Sequence, residues 1–198
     1  MTACIRLANE NDAEHIQAIY APIVSHTAIS FEIEPPTIAE MEQRIVKTLV
    51  HLPWLVCERE GTICGYAYAS KHRLRTAYQW SVDVSVYIHP QARRTGIGRA
   101  LYCSLFRILR MQGYFNVYAG IALPNPGSVR LHEAVGFKPI GIYRDVGYKL
   151  GAWHDVGWWQ LPLQPTTSSP EVPKDVQTVQ QFPEWKTALA AGEALLKG

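Results

Sequence analysis

The chain has 198 residues, 47% of them hydrophobic and 18% charged, which fits one packed domain and leaves too little for two. Its formal charge is only +2 and the basic residues are spread along the sequence, so the broad basic face of a nucleic-acid binder is excluded. No stretch approaches ~18 uninterrupted apolar residues, and a membrane span is excluded as well.

Cys4 to Ala8 is the first predicted strand, and Asn11 or Asp12 is placed to cap a helix carrying Ile16, Ile19, Tyr20 and Ile23 at helical spacing. After the breaker Pro35-Pro36, Thr37 opens a second helix through Met41, Ile45 and Leu49, with Glu40 completing a capping box. Trp54 to Glu58 and Ile63 to Ser70 read as strands joined by the hairpin signal Glu60-Gly61-Thr62. A basic cluster of Lys71, His72, Arg73 and Arg75 follows, just before Tyr78 and Trp80. Cys4, Cys57, Cys64 and Cys103 lie far apart with no C-x-x-C, and the N-terminus has neither a basic region nor a long apolar run. The expectation is a cytoplasmic protein with reduced thiols.

The middle of the chain, Ser81 to Met111, organises the rest. Val82, Val84, Val86 and Ile88 alternate with Asp83, Ser85 and Tyr87, the period of a strand with one buried face, and Pro90 ends it. Beyond the turn, Ala100, Leu101, Ser104, Leu105, Ile108 and Leu109 share one helical face, so a helix begins near Gly96. A helix start leaves amide groups unpaired and carries partial positive charge, glycines let a ligand approach the backbone, and Arg93 and Arg94 add full charges. Such a site suits a pyrophosphate. No Lys-Ser or Lys-Thr follows the glycines, and the three-glycine dinucleotide fingerprint is missing, so neither nucleotide loop fits.

Gly113 ends the helix and Phe115 to Leu123 reads as another strand. The break Pro124-Asn125-Pro126-Gly127 leads to Ser128 as cap of a short helix, Val129 to Val135, and two strands around Phe137 to Tyr148 and Val156 to Leu161 complete a domain over residues 1–163. Residues 164–198 turn rich in Pro, Ser and Thr and are expected to be a linker and tail. A helix over Glu184 to Lys197 would be too short to stand alone.

The run Arg93-Arg94-Thr95-Gly96-Ile97-Gly98 resembles the Arg/Gln-x-x-Gly-x-Gly signature of the GNAT acyltransferase superfamily, whose loop holds the pyrophosphate of coenzyme A. Pro53-Trp54-Leu55-Val56, Gly65-Tyr66-Ala67-Tyr68-Ala69, Leu131-His132-Glu133-Ala134 and Trp153-His154-Asp155-Val156-Gly157 narrow the resemblance to the phosphinothricin N-acetyltransferases, over about Ile5 to Leu161. Relatives in that family acetylate methionine sulfoximine and methionine sulfone. The resemblance implies an α/β (α+β) fold with a mixed, mostly antiparallel sheet flanked by helices. It also implies acetyl-CoA as donor, a small amino acid as acceptor, direct attack without a covalent enzyme intermediate, no metal, and a homodimer.

By the same resemblance, Arg93 to Arg99, that is Arg93, Arg94, Thr95, Gly96, Ile97, Gly98 and Arg99, hold the cofactor's pyrophosphate. The backbone of Val86, Tyr87 and Ile88 takes the pantetheine arm, with Asn125 and Ser128 beside it. Asp83 stands where the family has a glutamate acting as general base; it is one methylene shorter, which favours a water relay. His132 is expected to be an acid to the departing thiolate or a substrate ligand, and Phe31, Trp80 and Ser85 to line the acceptor pocket.

Each assignment has a plainer reading. Asp83 is also an ordinary outward position on an alternating strand, and His132 an ordinary core histidine. Arg73 and Arg75, alternating on a strand end, point the same way and suit a carboxylate or phosphinate, yet a basic strand edge that blocks pairing has the same pattern. Two rivals stand beside the enzyme: an inactive CoA-binding regulatory module, and an acetyltransferase for polyamines or protein N-termini. Two arginines in the acceptor pocket disfavour cationic polyamines.

Overall fold

Period-two patterning through the first half of the chain makes antiparallel strands, and a computed structural model, which describes residues 3–196, shows how they are ordered. The strands are β1 (Ala3–Leu7), β2 (Trp54–Arg59), β3 (Thr62–Lys71), β4 (Ser81–Ile88), β5 (Asn116–Leu123), β6 (Lys138–Lys149) and β7 (Ala152–Pro162). They form one sheet in the order β1-β2-β3-β4-β5-β7-β6, antiparallel at every junction except the parallel pair β4 and β5. This is the mixed, mostly antiparallel sheet that the sequence leads one to expect.

Helices cover both faces: α1 (Ala13–His26), α2 (Ile38–Leu49), α3 (Ile97–Gln112) and α4 (Pro126–Ala134), with two short C-terminal helices, α5 (Val176–Val179) and α6 (Trp185–Leu189). Trp54, Val56 and Tyr66 face α1 and α2, where they pack with Ile16, Val24, Met41 and Ile45. Leu55, Ala67, Val82 and Val84 face the other way, against Leu101, Leu105 and Ile108 of α3. The alternation of β4 thus sends Asp83 and Ser85 to the face opposite α3.

The capping box at α2 is present, with Thr37 Oγ1 accepting from the Glu40 amide at 3.2 Å and the Glu40 carboxylate accepting from the Thr37 amide at 2.7 Å. The hairpin turn is Glu60-Gly61, with φ of 51° and 75°, the left-handed pair that a two-residue hairpin needs. Two caps differ from expectation. Asp12 stands at the N-cap position of α1 as expected but makes no side-chain cap bond, because its carboxylate accepts from Arg6 and from the Asn9 amide; Asn9 caps the 3-10 turn Glu10–Asp12 just ahead. Asn125, not Ser128, caps α4, accepting from the Ser128 amide at 3.1 Å, so the helix opens three residues earlier than Val129.

The stretch expected to be a linker and tail lies on α3. Val176, Val179 and Ala188 are buried in the same core as α3. The Leu189 carbonyl accepts from Ser104 Oγ at 2.6 Å, and the Glu193 carboxylate accepts from the Ile5 amide of β1 at 2.8 Å. This second layer covers Ser104 and Gln112, which bond to Leu189, Gly192 and Lys174, while Tyr102 and Phe106 are covered by His132 of α4 and by Phe137. The helix expected over 184–197 is α6 followed by a 3-10 stretch, Ala190–Leu195. Residues 1–2 and 197–198, at the outer ends of the two expected units, lie outside the described residues.

Candidate active site

The sheet opens where its one parallel pair runs out. β4 and β5 are paired only at Ser81 with Asn116, Val82 with Val117 and Asp83 with Tyr118, although β4 continues to Ile88 and β5 to Leu123. Beyond the fork β4 stays bonded to β3, and β5 to β7, so each keeps one edge without a strand partner. Val86, Tyr87 and Ile88 lie on that open stretch of β4; the Tyr87 ring packs edge-on against Tyr20 at 5.1 Å.

Asp83 sits at the crotch of the fork. Its Oδ1 lies 2.6 Å from Nδ1 of His72, the first residue beyond β3. The His72 ring is stacked flat on Tyr118, centroids 4.3 Å apart, and meets Tyr78 and Trp158 edge-on. Burial pushes the Asp83 carboxyl above the usual carboxylate range, while His72 and the Arg73 charge pull it back. The Arg73 guanidinium stands 5.5 Å over the Trp158 ring, and its Nη1 donates to the His72 carbonyl at 2.7 Å. Ser85, two residues along the same face, is the cross-strand partner of Tyr68 in β3.

The strand-end reading of the two arginines is corrected by this geometry. β3 ends at Lys71, and Arg73 and Arg75 lie in the loop that leads to a 3-10 turn over Thr76–Tyr78. They therefore do not share a face by alternation: Arg73 joins the Asp83 cluster, and Arg75 lies exposed at the start of the turn. Trp80 is drawn away as well, its indole N–H donating to the Glu171 carbonyl of the C-terminal segment at 2.7 Å. Phe31 packs at the far end of the β6–β7 hairpin, 6.3 Å from His154 and against the backbone of Gly147.

At the start of α3, Arg93, Arg94 and Arg99 are exposed, Thr95 Oγ1 donates to the Ala92 carbonyl, and Gly96 caps the helix at φ 91°. The two glycines have neighbours within the protein. A Cβ on Gly96 would overlap the Leu195 carbonyl, and one on Gly98 would come 2.9 Å from the Leu131 side chain of α4. Their small size is thus required for chain packing, a reason distinct from ligand approach. Ile97 is buried, so only its amide can face a ligand.

His132 lies in the core, 4% exposed. Its Nδ1 donates to the Ser128 carbonyl at 2.8 Å and its Nε2 accepts from the Tyr102 hydroxyl at 2.8 Å. Burial lowers its pKa, so the ring is neutral and its one N–H is already given to the helix. The expected acid to a thiolate has no proton at Nε2 in this arrangement. Asn125 and Ser128 are joined by the α4 cap.

Sequence reasoning passed over His72, Tyr118 and Trp158. The histidine stood inside a run noted only for its charge, and the two aromatics lay unremarked within predicted strands. A separate cavity of about 280 Å³ lies among Tyr20, Met41, Arg44, Trp54, Tyr66 and Tyr68, and no residue expected in the site lines it.

Comparison with known proteins points the same way. The family model described as an acetyltransferase (GNAT) domain matches residues 5–158. A phosphinothricin N-acetyltransferase of Streptomyces viridochromogenes is 38% identical over 90% of this chain and 95% of its own. An L-methionine sulfoximine/L-methionine sulfone acetyltransferase of Salmonella typhimurium is 33% identical over 80% of this chain and 94% of its own. Among solved structures, a phosphinothricin acetyltransferase from Sinorhizobium meliloti in complex with acetyl-CoA superposes with a TM-score of 0.82 at 37% identity, covering 86% of this chain and 94% of that one.

Proposed function

Since the chain belongs to the GNAT acetyltransferase family, we propose that it moves the acetyl group of acetyl-CoA onto the α-amino group of a small amino acid or analogue of the phosphinothricin or methionine sulfoximine kind. The observation that carries this reading is the fork itself. It sets a half-buried carboxylate, Asp83, and an arginine, Arg73, side by side where two strands part.

Acetyl-CoA supplies an acetyl thioester; this chain's residues do the rest. The loop Arg93 to Arg99 brings three exposed guanidiniums and the first-turn amides of α3 to the cofactor's diphosphate. The open edge of β4 from Val84 to Ile88 offers backbone groups to the pantetheine arm, with Asn125 and Ser128 at the start of α4 beside it. Arg73 binds the acceptor's anionic group, and Ser85 lines the same face. The attacking amine must lose a proton before its lone pair is free, and the base catalysis this needs depends on the Asp83 carboxylate at the fork. His132 serves the fold, holding α4 to Tyr102.

The enzyme works in the cytoplasm as a homodimer in this reading. The four cysteines are unpaired, and no helix among the described residues is long and apolar enough to cross a membrane. β6 is an edge strand that exposes Ile140, Ile142, Tyr143 and Tyr148, with Trp153 of β7 beside them, an apolar surface suited to a second copy. Sedimentation as a monomer would remove that part of the proposal.

Initial rates of thiol release decide the acceptor, measured with phosphinothricin, methionine sulfoximine, methionine sulfone and the common amino acids. Turnover confined to polyamines or peptide N-termini overturns the acceptor assignment. Acetyl-CoA binding without turnover of any amine would make the chain a cofactor-binding regulatory module.

A further inference from the structure

We infer that His72 is the group that takes the proton from the acceptor's ammonium, through Nε2, and that Asp83 is its orienting carboxylate. This deepens the amino-acid acetyltransferase reading and rests on it for the identity of the acceptor.

An aspartate at the fork reaches less far into the cleft than a glutamate would, and one of its oxygens is already taken by His72 at 2.6 Å. The imidazole extends the carboxylate's influence by the width of a ring. With an ionised carboxylate at Nδ1, the ring's proton is held on Nδ1, and Nε2 is left with a lone pair. Among the described residues no protein donor is hydrogen-bonded to that nitrogen. The ring is also held in place from several sides, by Tyr118 of β5 against its face and by Tyr78 and Trp158 against its edges. Its side chain is 12% exposed, enough for contact with a small ligand and too little for free rotation. A buried carboxylate fixing one imidazole nitrogen so that the other acts as base is the division of labour used in hydrolytic triads.

The charged and titratable groups facing His72 are few. They are Asp83 from β4, Arg73 beside it in the chain, and the phenols of Tyr78 and Tyr118. Asp83 favours the imidazolium that forms, and Arg73 opposes it while holding the acceptor's own anion.

The ammonium N–H bond breaks and its proton goes to His72 Nε2. The nitrogen lone pair then forms the N–C bond to the acetyl carbonyl carbon, and the C–S bond breaks with its electron pair on sulfur. The sulfur leaves as a thiol, taking the second nitrogen proton, and the imidazolium returns the first to solvent.

The test uses the full chain, acetyl-CoA and the best acceptor of the panel, with kcat/KM followed from pH 5.5 to 9. His72→Gln is expected to lose about a hundredfold near neutrality, with the loss shrinking at high pH where the free amine exists. Calorimetric acetyl-CoA affinity stays unchanged, which shows that the variant is folded. His72→Ala regains rate when imidazole is added, in proportion to its unprotonated fraction, and Asp83→Ala does not. Retention of the wild-type rate and acid limb by His72→Gln overturns the assignment. So does rescue of Asp83→Ala by formate when His72 variants are active, which would make Asp83 the base. Nitrogen-15 resonances of the resting protein give a readout independent of turnover. A neutral His72 ring with its proton on Nδ1 at pH 7.5 supports the proposal, and a ring protonated on both nitrogens defeats it. Wild-type protein that turns over no amino acid sinks the acceptor reading instead, and the ring resonances still decide for or against His72.

Discussion

Replacing His132 by alanine separates a residue of the core from a residue of the reaction. The imidazole is 4% exposed, bridges the Ser128 carbonyl to the Tyr102 hydroxyl, and packs 5.2 Å from the Phe137 ring. Truncation leaves the fully buried Tyr102 hydroxyl without its acceptor and opens a ring-sized cavity, together about 3–5 kcal/mol. In a chain of this length that lowers the thermal midpoint by roughly 6–20 °C. Combined with Tyr102→Phe, the same truncation should cost about 1–3 kcal/mol less, because no hydroxyl is orphaned. A pH series adds a second check. Burial holds the imidazole's pKa below its ordinary 6.5, so below that pH the unfolded chain binds more protons than the folded one. Stability tied to this group is complete above about 6.5 and falls as pH drops through the folded value, and His132→Ala should flatten that dependence. Thermal denaturation and initial rates well below the midpoint suffice as assays. A variant that melts like the wild type but turns over more than about tenfold slower would refute the core assignment and return the ring to the reaction.

Other substitutions probe the rest of the site. Asp83→Asn should lower kcat/KM by about a hundredfold near neutral pH, less at high pH, and a retained wild-type profile would make the carboxylate a bystander. Gly96→Val should raise the KM for acetyl-CoA and also lower the melting temperature. A side chain at φ 91° is strained by about 1–2 kcal/mol and collides with the Leu195 carbonyl. Donor affinity unchanged in calorimetry would dissociate that loop from the cofactor. Arg73→Ala should raise the acceptor KM by about tenfold while sparing acetyl-CoA, and Arg75→Ala should leave both alone; equal losses from the two would restore the paired-arginine reading. Glu193→Gln should weaken the clasp on the Ile5 amide and lower stability by about 1 kcal/mol, seen as a shifted denaturant midpoint with activity intact.

Local chemistry was the part legible from residues alone. Thr37 and Glu40 specify a helix start by themselves, Glu60-Gly61 specifies a two-residue turn, and the alternation of Val82 to Ile88 fixes which way Asp83 points. Arg73 and Arg75 misled because alternation in sequence implies a shared face only if the strand continues, and β3 stops at Lys71. The C-terminal segment misled for another reason. Helices of four and five residues have no stability of their own, and α5 and α6 exist only through burial of Val176, Val179 and Ala188 over α3. His72 could not be singled out because its meaning lies in a partner eleven residues away and in rings drawn from β5 and β7.

The fork between β4 and β5 also bears on how long the folded protein lasts. From Val84 to Ile88 one edge of β4 has backbone groups with no strand to bond, in the middle of the sheet where a closed pairing would ordinarily lie. A ligand laid in that gap, as proposed for the pantetheine arm, would act as a missing strand, and it would have nothing comparable to bind in the unfolded chain. At a hundred times its dissociation constant such a ligand would add about 2.7 kcal/mol to the stability of the folded chain. The folded chain would then last longer wherever that ligand is abundant.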